Sequence, residues 1–463
     1  MVAAGRERSA WPILVIDRLP VKCDSLRVLT ENNILSKFAL PGVLGDGGSV
    51  TDEQAPSAWR NPLAWLPFSI AEAALSGDAS RDVELTAAWA HLQERLKAAE
   101  QLVVSTPVNR NRIDYAAGMR HLMVLLAVGI DVALRVDPDP VLAVVRASMD
   151  DTVTWGMECP DCLYMNATLR GGETYRLFGQ RGTAQYVGLQ TMDGIVASAN
   201  CLVDDLDVDA DGNFEVILSA DEREGNWLRL AGDHPTLTVR HFFYDWSAEV
   251  PSSLQIERIG EEVEPKDRLV EPDVSVARQL CALGEFVYDN LKFFLDFGAM
   301  PQANSFVPPM NMTDMGAAAE NRPVIGRFEL EPDEALILEV EPPKGVYWSY
   351  SLGNPWLETI HYGRHQSSLN GHQAVVDSDG ILRVVVSARD PGVANWLDSA
   401  GHSNGAMILR CVRTETAPVP ATRVVKFDEV LSALPPSTTM ATPEQRAKTI
   451  EARRRSVHER FYR

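Results

Sequence analysis

The chain has 463 residues, 45% of them hydrophobic and 23% charged, which is the balance of a globular protein long enough for two or three domains with sizeable cores. Its 64 acidic residues against 43 Lys and Arg give a formal net charge of -21. That charge repels phosphate backbones and anionic lipid surfaces, so neither nucleic acid nor membrane is expected as a partner. The first twenty residues have an apolar run too short and too interrupted for a signal segment. The most apolar window, Leu122 to Val136, carries Asp131 and falls short of the roughly 18 to 20 residues that span a bilayer. A soluble, cytoplasmic protein is expected.

In chain order, residues 1–80 form an irregular leader, rich in Gly, Pro and Ser and without a period. A helical unit is predicted over 81–150, where Leu85, Trp89, Leu92 and Leu96, then Tyr115, Met119, Leu122, Leu126 and Ile130, recur at helical spacing. From 151 to 271 the period changes to two, with strand-like runs such as "ETYRLFGQ", "NFEVILSA" and "TLTVRHFFYDW" parted by turn clusters. One long helix interrupts over 272–298, and strands resume over 299–440 with "DEALILEVEPP", "VYWSYSLG" and "AMILRCVR". Residues 441–463 read as a basic terminal helix, with Thr442, Pro443 and Gln445 as a capping box, expected to dock on the protein's own acidic surface. The fold class is therefore α+β: a helical N-terminal unit, a mainly antiparallel β-sandwich with one inserted helix, and a C-terminal helix.

Several motifs suggest chemistry, and most have a plainer reading. Gly401-His402-Ser403-Asn404-Gly405 fits a serine-hydrolase elbow, yet a strand-like run follows where the elbow needs a helix, so a loop is expected. Cys159-Pro160-Asp161-Cys162 has no second pair to complete a zinc site and precedes a strand, so two reduced thiols are expected. Asp207, Asp209 and Asp211 open like a calcium loop, but Leu218 stands where the closing glutamate belongs, and Asp211-Gly212 is a hairpin signal. Glu358, His361, His365 and His372 form the densest ligand-type cluster, in a segment without helical period. No metal and no cofactor are expected. Asp390-Pro391-Gly392 marks a type II turn, with Trp396 filling the sandwich core and Asn395, Asp398 and His402 as polar groups around it.

The segments "YRLFGQRGTAQYVGLQT", "HPTLTVRHFFYDW", "SLNGHQA" and above all "DPGVANWLDSAGH" are similar to the family of the domain of unknown function 1214, over roughly residues 82–413. The resemblance implies a helical part followed by a jelly-roll-like sandwich, and no established reaction. It extends to Tyr175, Arg176, Gly179, Arg240, Asp245, Trp246, Asn370, His372, Asp390, Asn395, Trp396, Asp398, His402 and Arg410, whereas Cys159, Cys162, His361, His365 and Ser403 lie outside its pattern. Two functions follow as expectations. One is a cytosolic enzyme on a small organic or lipid-like substrate, with Asp398, His402 and His372 as acid/base groups, Arg240 and Arg410 on an anionic group, and Asn395, Trp396 and Trp356 binding substrate. The other is a non-catalytic binding module, for a carbohydrate or another small ligand, in which Trp356 or Trp396 stacks on the ligand. A homo-oligomer is compatible with either.

Overall fold

The computed structural model describes residues 85–109, 111–135, 143–193, 196–260, 273–310 and 320–462, all within one unit, Thr51–Arg463. The leader expected over 1–80 lies outside them. Helices α1 (Leu85–Ser105) and α2 (Arg112–Arg135) pack with α3 (Asp273–Gly298) around Leu92, Ala99, Val103, Leu125, Phe286, Val287, Leu291 and Trp356. The buried face of α1 keeps Leu92 and Leu96 of the expected stripe and is completed by Ala88, Ala99 and Val103, while Leu85 and Trp89 at the start of the helix are exposed. Small residues let the helix backbones approach closely: a Cβ on Gly284 of α3 would lie 3.3 Å from Leu92 Cα. By length and composition α2 could cross a membrane. Here Gly118 of that helix lies against the Trp356 ring, where an added Cβ would come within 2.2 Å.

The strands form two sandwiches. In the first, β1 (Arg146–Ala147), β2 (Cys162–Thr168), β8 (Thr236–Phe242), β4 (Tyr186–Asp193) and β5 (Val196–Leu202) make one sheet in that order. The facing sheet is β7 (Trp227–Arg229), β6 (Asn213–Ser219), β3 (Thr174–Gln180) and β9 (Ser253–Ile259). Leu177, Val187, Leu189, Val216, Leu218, Leu237 and Val239 fill the space between them. In the second, β10 (Ser305–Phe306), β11 (Val324–Glu329), β17 (Asn404–Thr414), β13 (Gly345–Gly353) and β14 (Ser368–Asn370) face β16 (Trp396–Asp398), β15 (Leu382–Ser387), β12 (Glu334–Val340) and β18 (Ala421–Lys426). Pairing is antiparallel except for β6 with β7 and β15 with β16. Phe328, Leu336, Leu338, Tyr350, Leu352, Val384, Val386 and Leu409 fill the second core. β12 and β15 are apolar on both faces because Ala335, Ile337 and Val385 meet a second cover of Val430 and Leu434, from the one-turn helix α4 (Val430–Ala433) and the residue after it.

Helix α5 (Pro443–Phe461) starts with the expected capping box, Thr442 accepting from Gln445 N and Gln445 accepting from Thr442 N. Its docking corrects the expectation of an acidic seat. Of its buried arginines only Arg446 meets a carboxylate, Asp390, at 2.9 Å. Arg453 donates to Ser368 Oγ at 3.1 Å and to the carbonyls of Ser368 and Tyr362, and Arg460 donates to Pro160 O at 2.6 Å. Burial pushes Arg453 down to about 10. A guanidinium that satisfies several buried carbonyls leaves them orphaned when removed. Arg453→Ala should therefore lower the unfolding free energy by about 2–4 kcal/mol, whereas Arg455→Ala, at an exposed ion pair, should stay within about 0.5 kcal/mol, both read by chemical denaturation.

Candidate functional site

Strand alternation decides what lies between the two sandwiches. On β8, Leu237 and Val239 point into the first core, so Thr238, Arg240 and Phe242 point out. On β13 and β17, Tyr350, Leu352 and Leu409 point into the second core, so Tyr347, Ser349, Ser351, Arg410 and Val412 point out. These outward faces meet through Cys159, Cys162, Tyr186, Leu202, Phe242, Tyr347 and Val412. The loop Trp155–Asp161 is wedged into the same junction, turning through positive φ at Gly156 and Met157, with Met157 N donating to Leu357 O at 2.8 Å. A left-handed methionine is uncommon and is held here by its surroundings.

A polar cluster fills the junction. Asp161 is fully buried and accepts from Tyr347 OH at 2.6 Å, Trp246 Nε1 at 2.7 Å and Asn370 Nδ2 at 2.9 Å. Ser349 Oγ and Cys159 Sγ lie 2.7 and 3.0 Å from the same Tyr347 hydroxyl. Arg240 donates to Gln190 Oε1 at 2.5 Å and lies 6.0 Å from the Tyr164 ring centre. Arg410 donates to Ser351 Oγ at 2.6 Å and to the Met157 carbonyl. Beside them, Glu358 accepts from Arg120 at 3.0 Å and Asn354 at 2.8 Å. His121 Nδ1 lies 3.3 Å from Glu358 Oε1, without the alignment of a hydrogen bond.

Glu158 is the exception within this cluster. It is buried, Thr359 Oγ1 beside it donates to its main-chain carbonyl, and among the described residues neither carboxyl oxygen has a partner in hydrogen-bond geometry. Burial pushes that carboxyl up to about 8, against the opposing pull of the nearby Thr359 hydroxyl and, after it, of the Arg410 charge. Burial also disfavours charge on Glu358, but His121, Asn354 and Arg120 outweigh it and hold that carboxyl below its ordinary value. The Cys159 and Cys162 thiols and the Tyr164 phenol are all pushed up by burial, which disfavours the thiolate in the C-x-x-C pair.

The residues singled out in the sequence scatter over several places. Arg240 and Arg410 both reach the junction. His402 does not meet Asp398: its Nδ1 lies 2.6 Å from Asp114 Oδ1 on α2, which ties the β16–β17 turn to the helices. Asp398 instead pairs with His365 Nδ1 at 2.7 Å. His372 is exposed, 3.9 Å from Asp245. Asn395 is spent on the fold, donating to Val375 O and Arg383 O and accepting from Val375 N. The concavity beside it has an empty volume of about 250 Å3, open solvent included, below the size of an ordinary ligand pocket. Trp356 is fully buried among the helices and donates to Asp114 O, so it offers no stacking surface. Trp396 also departs from expectation, lying on the outer face of its sheet under α4 rather than in the sandwich core.

The remaining motifs resolve as turns. Ser403 follows Ala400 and Gly401 at positive φ and leads into β17, a strand where an elbow requires a helix. Asp209 accepts from Asp211 N and Asn213 N, closing its own turn. His361 faces Asp151 at 3.6 Å while His365 faces Asp398, and among the described residues no three His, Cys, Asp or Glu converge on a metal position. Glu158, His121, Ser349 and Ser351 were not singled out from the sequence. The serines carried a signal, since "VYWSYSLG" places polar groups at alternate positions of a strand buried on both faces.

The family model described as "Protein of unknown function (DUF1214)" matches residues 329–416. The crystal structure of an uncharacterised protein from Burkholderia cenocepacia is 30% identical, covers 79% of this chain and 100% of its own, and superposes with a TM-score of 0.69. A Vibrio parahaemolyticus protein is 13% identical over 66% of this chain and 100% of its own, with a TM-score of 0.40. No curated protein matches the chain. The protein belongs to the DUF1214 family.

Because the Glu158 carboxyl is raised from its unfolded value of 4.5 to about 8, its contribution to stability is full below pH 4.5 and is lost as pH rises through 8. Glu158→Gln should remove that loss, so its advantage over the parent protein should grow between pH 5 and 9 to the order of a few kcal/mol in urea titrations. A constant difference across that range would mean that the carboxyl is not held neutral. Ser403→Ala, whose hydroxyl among the described residues meets Asn111 Nδ2 alone, at 3.5 Å, should shift stability by less than about 0.5 kcal/mol.

Proposed function

We propose that the protein is an enzyme that transfers a proton on a small organic substrate at the junction of its two sandwiches, with Glu158 as the acid/base group and Arg410 facing the substrate's charge. The observation that carries this reading is the buried Glu158 carboxyl, whose two oxygens have no partner in hydrogen-bond geometry among the described residues. An unsatisfied buried carboxyl costs stability and gains nothing for the fold, whereas a proton carrier near neutral pH needs the shift that such burial produces. Tyr347, Ser349 and Ser351 add hydroxyls that can orient a substrate on the outward face of β13. The module reading relied on an aromatic platform at Trp356 or Trp396, and both rings are buried. Five free thiols among the described residues support a reducing, cytoplasmic setting.

The test begins with a cell metabolite extract incubated with the full chain and profiled for a compound that disappears and a product that replaces it. For that compound, Glu158→Gln should lower kcat/KM by at least about a hundredfold at pH 7 with no loss of stability. Turnover at the parental rate would sink the assignment of Glu158.

A further inference from the structure

Arg410 carries a second question about the same site. Its guanidinium is 7% exposed, and both of its hydrogen-bond partners, Ser351 Oγ and the Met157 carbonyl, are neutral. The nearby carboxyls do not answer its charge: Asp161 is taken by Tyr347, Trp246 and Asn370, and Glu358 by Arg120 and Asn354. Glu158 remains, desolvated and unpartnered. A buried cation is costly unless an anion meets it, and the guanidinium still has N–H groups to offer. The surroundings also have a direction. Ile408 shares Arg410's face of β17, β11 places Ile325 opposite Ile408, and Met157, Met310, Phe294 and Phe297 pack around them.

We infer that the junction binds a small monocarboxylate with an apolar tail, its anionic oxygens taken by Arg410 and by the Glu158 O–H, its tail directed toward Ile408 and Ile325. This rests on the proton-transfer reading of Glu158 and names the substrate class for it. A carboxylate ligand beside an ionised Glu158 would put two like charges in one desolvated place, so binding holds Glu158 protonated and takes up a proton wherever the free site has lost it. The groups facing Glu158 are Arg410 from β17 and Glu358, Thr359 and Tyr362 from the segment after β13, with Cys159 next in sequence; His121 and Arg120 of α2 stand behind Glu358, and Arg460 of α5 sits on the Pro160 carbonyl.

Isothermal titration of the full chain with hexanoate, acetate and inorganic phosphate, at several pH values from 6.5 to 9.5, tests this. Hexanoate should bind, more tightly than acetate, and its affinity should fall about tenfold for each pH unit above 8. Glu158→Gln should bind hexanoate with no such decline, and Arg410→Lys should bind it at least about tenfold more weakly. No hexanoate binding at pH 7, an affinity independent of pH up to 9.5, or phosphate binding as tightly as hexanoate would each overturn the inference. The two readings fail separately. If hexanoate does not bind while Glu158→Gln still abolishes turnover, the ligand class is wrong and the proton carrier stands. If hexanoate binds as described while Glu158→Gln turns over normally, the carboxyl is a binding group only.

Discussion

Asp161 is the group on which the rest of this arrangement depends. Its carboxyl accepts from three side chains on three different parts of the chain: Tyr347 on β13, Asn370 at the end of β14 and Trp246 after β8. Two belong to the second sandwich and one to the first, so a single short loop side chain ties the two together within the apolar contact they already share. The main chain around it is fastened as well, since Asp161 O accepts from Phe243 N and Pro160 O accepts from Arg460 of the last helix. A buried carboxyl with three good donors is satisfied, and it fixes the loop that carries it. Glu158, three residues earlier in that loop, inherits a position it would not otherwise hold.

The contrast between these two acids separates scaffold from site. Both are buried in the same loop, and one holds three donors in good geometry while the other holds none among the described residues. Had the junction needed only adhesion, apolar residues of similar volume would have filled it at lower cost, as Phe242, Tyr186 and Leu202 do at one end. Polarity instead concentrates where Arg410, Ser349, Ser351 and Tyr347 project from the second sandwich. A buried junction that retains unsatisfied polar groups is where functional constraint overrides packing.

Much of the fold was legible in the sequence because its elements announce themselves locally. The apolar spacing of α3, the capping box of α5 and the runs of β12 and β15 each depend on neighbours within a dozen residues. On α1 the spacing marks Leu92 and Leu96 rightly but adds the exposed Leu85 and Trp89, because close helix packing favours Ala88 and Ala99, which a search for large apolar residues passes over. The site was less legible for a topological reason. Glu158 and Arg410 are brought together by strand order, and a lone acid in a loop has no period to betray its burial. Arg240 and Arg410 stood out as cations in strands, but what surrounds them could not be read from spacing.

The segment Asp398–His402 shows how a motif can look catalytic while serving to join parts. It contributes two imidazole–carboxylate contacts, yet they point away from each other: Asp398 reaches His365 in the segment before β14, and His402 reaches Asp114 on α2. Asn404 Nδ2 donates to the Val108 carbonyl and lies 3.4 Å from Asp114 Oδ2, and Asp114 O accepts from Trp356, so one helix start is linked to the second sandwich by side chain and main chain together. Short polar side chains suit this task because a tight turn cannot carry the apolar area that would otherwise fasten it. Polar residues crowded at a glycine-rich turn therefore mark a place where elements must be joined, and only the destination of each hydrogen bond distinguishes a joint from an active site.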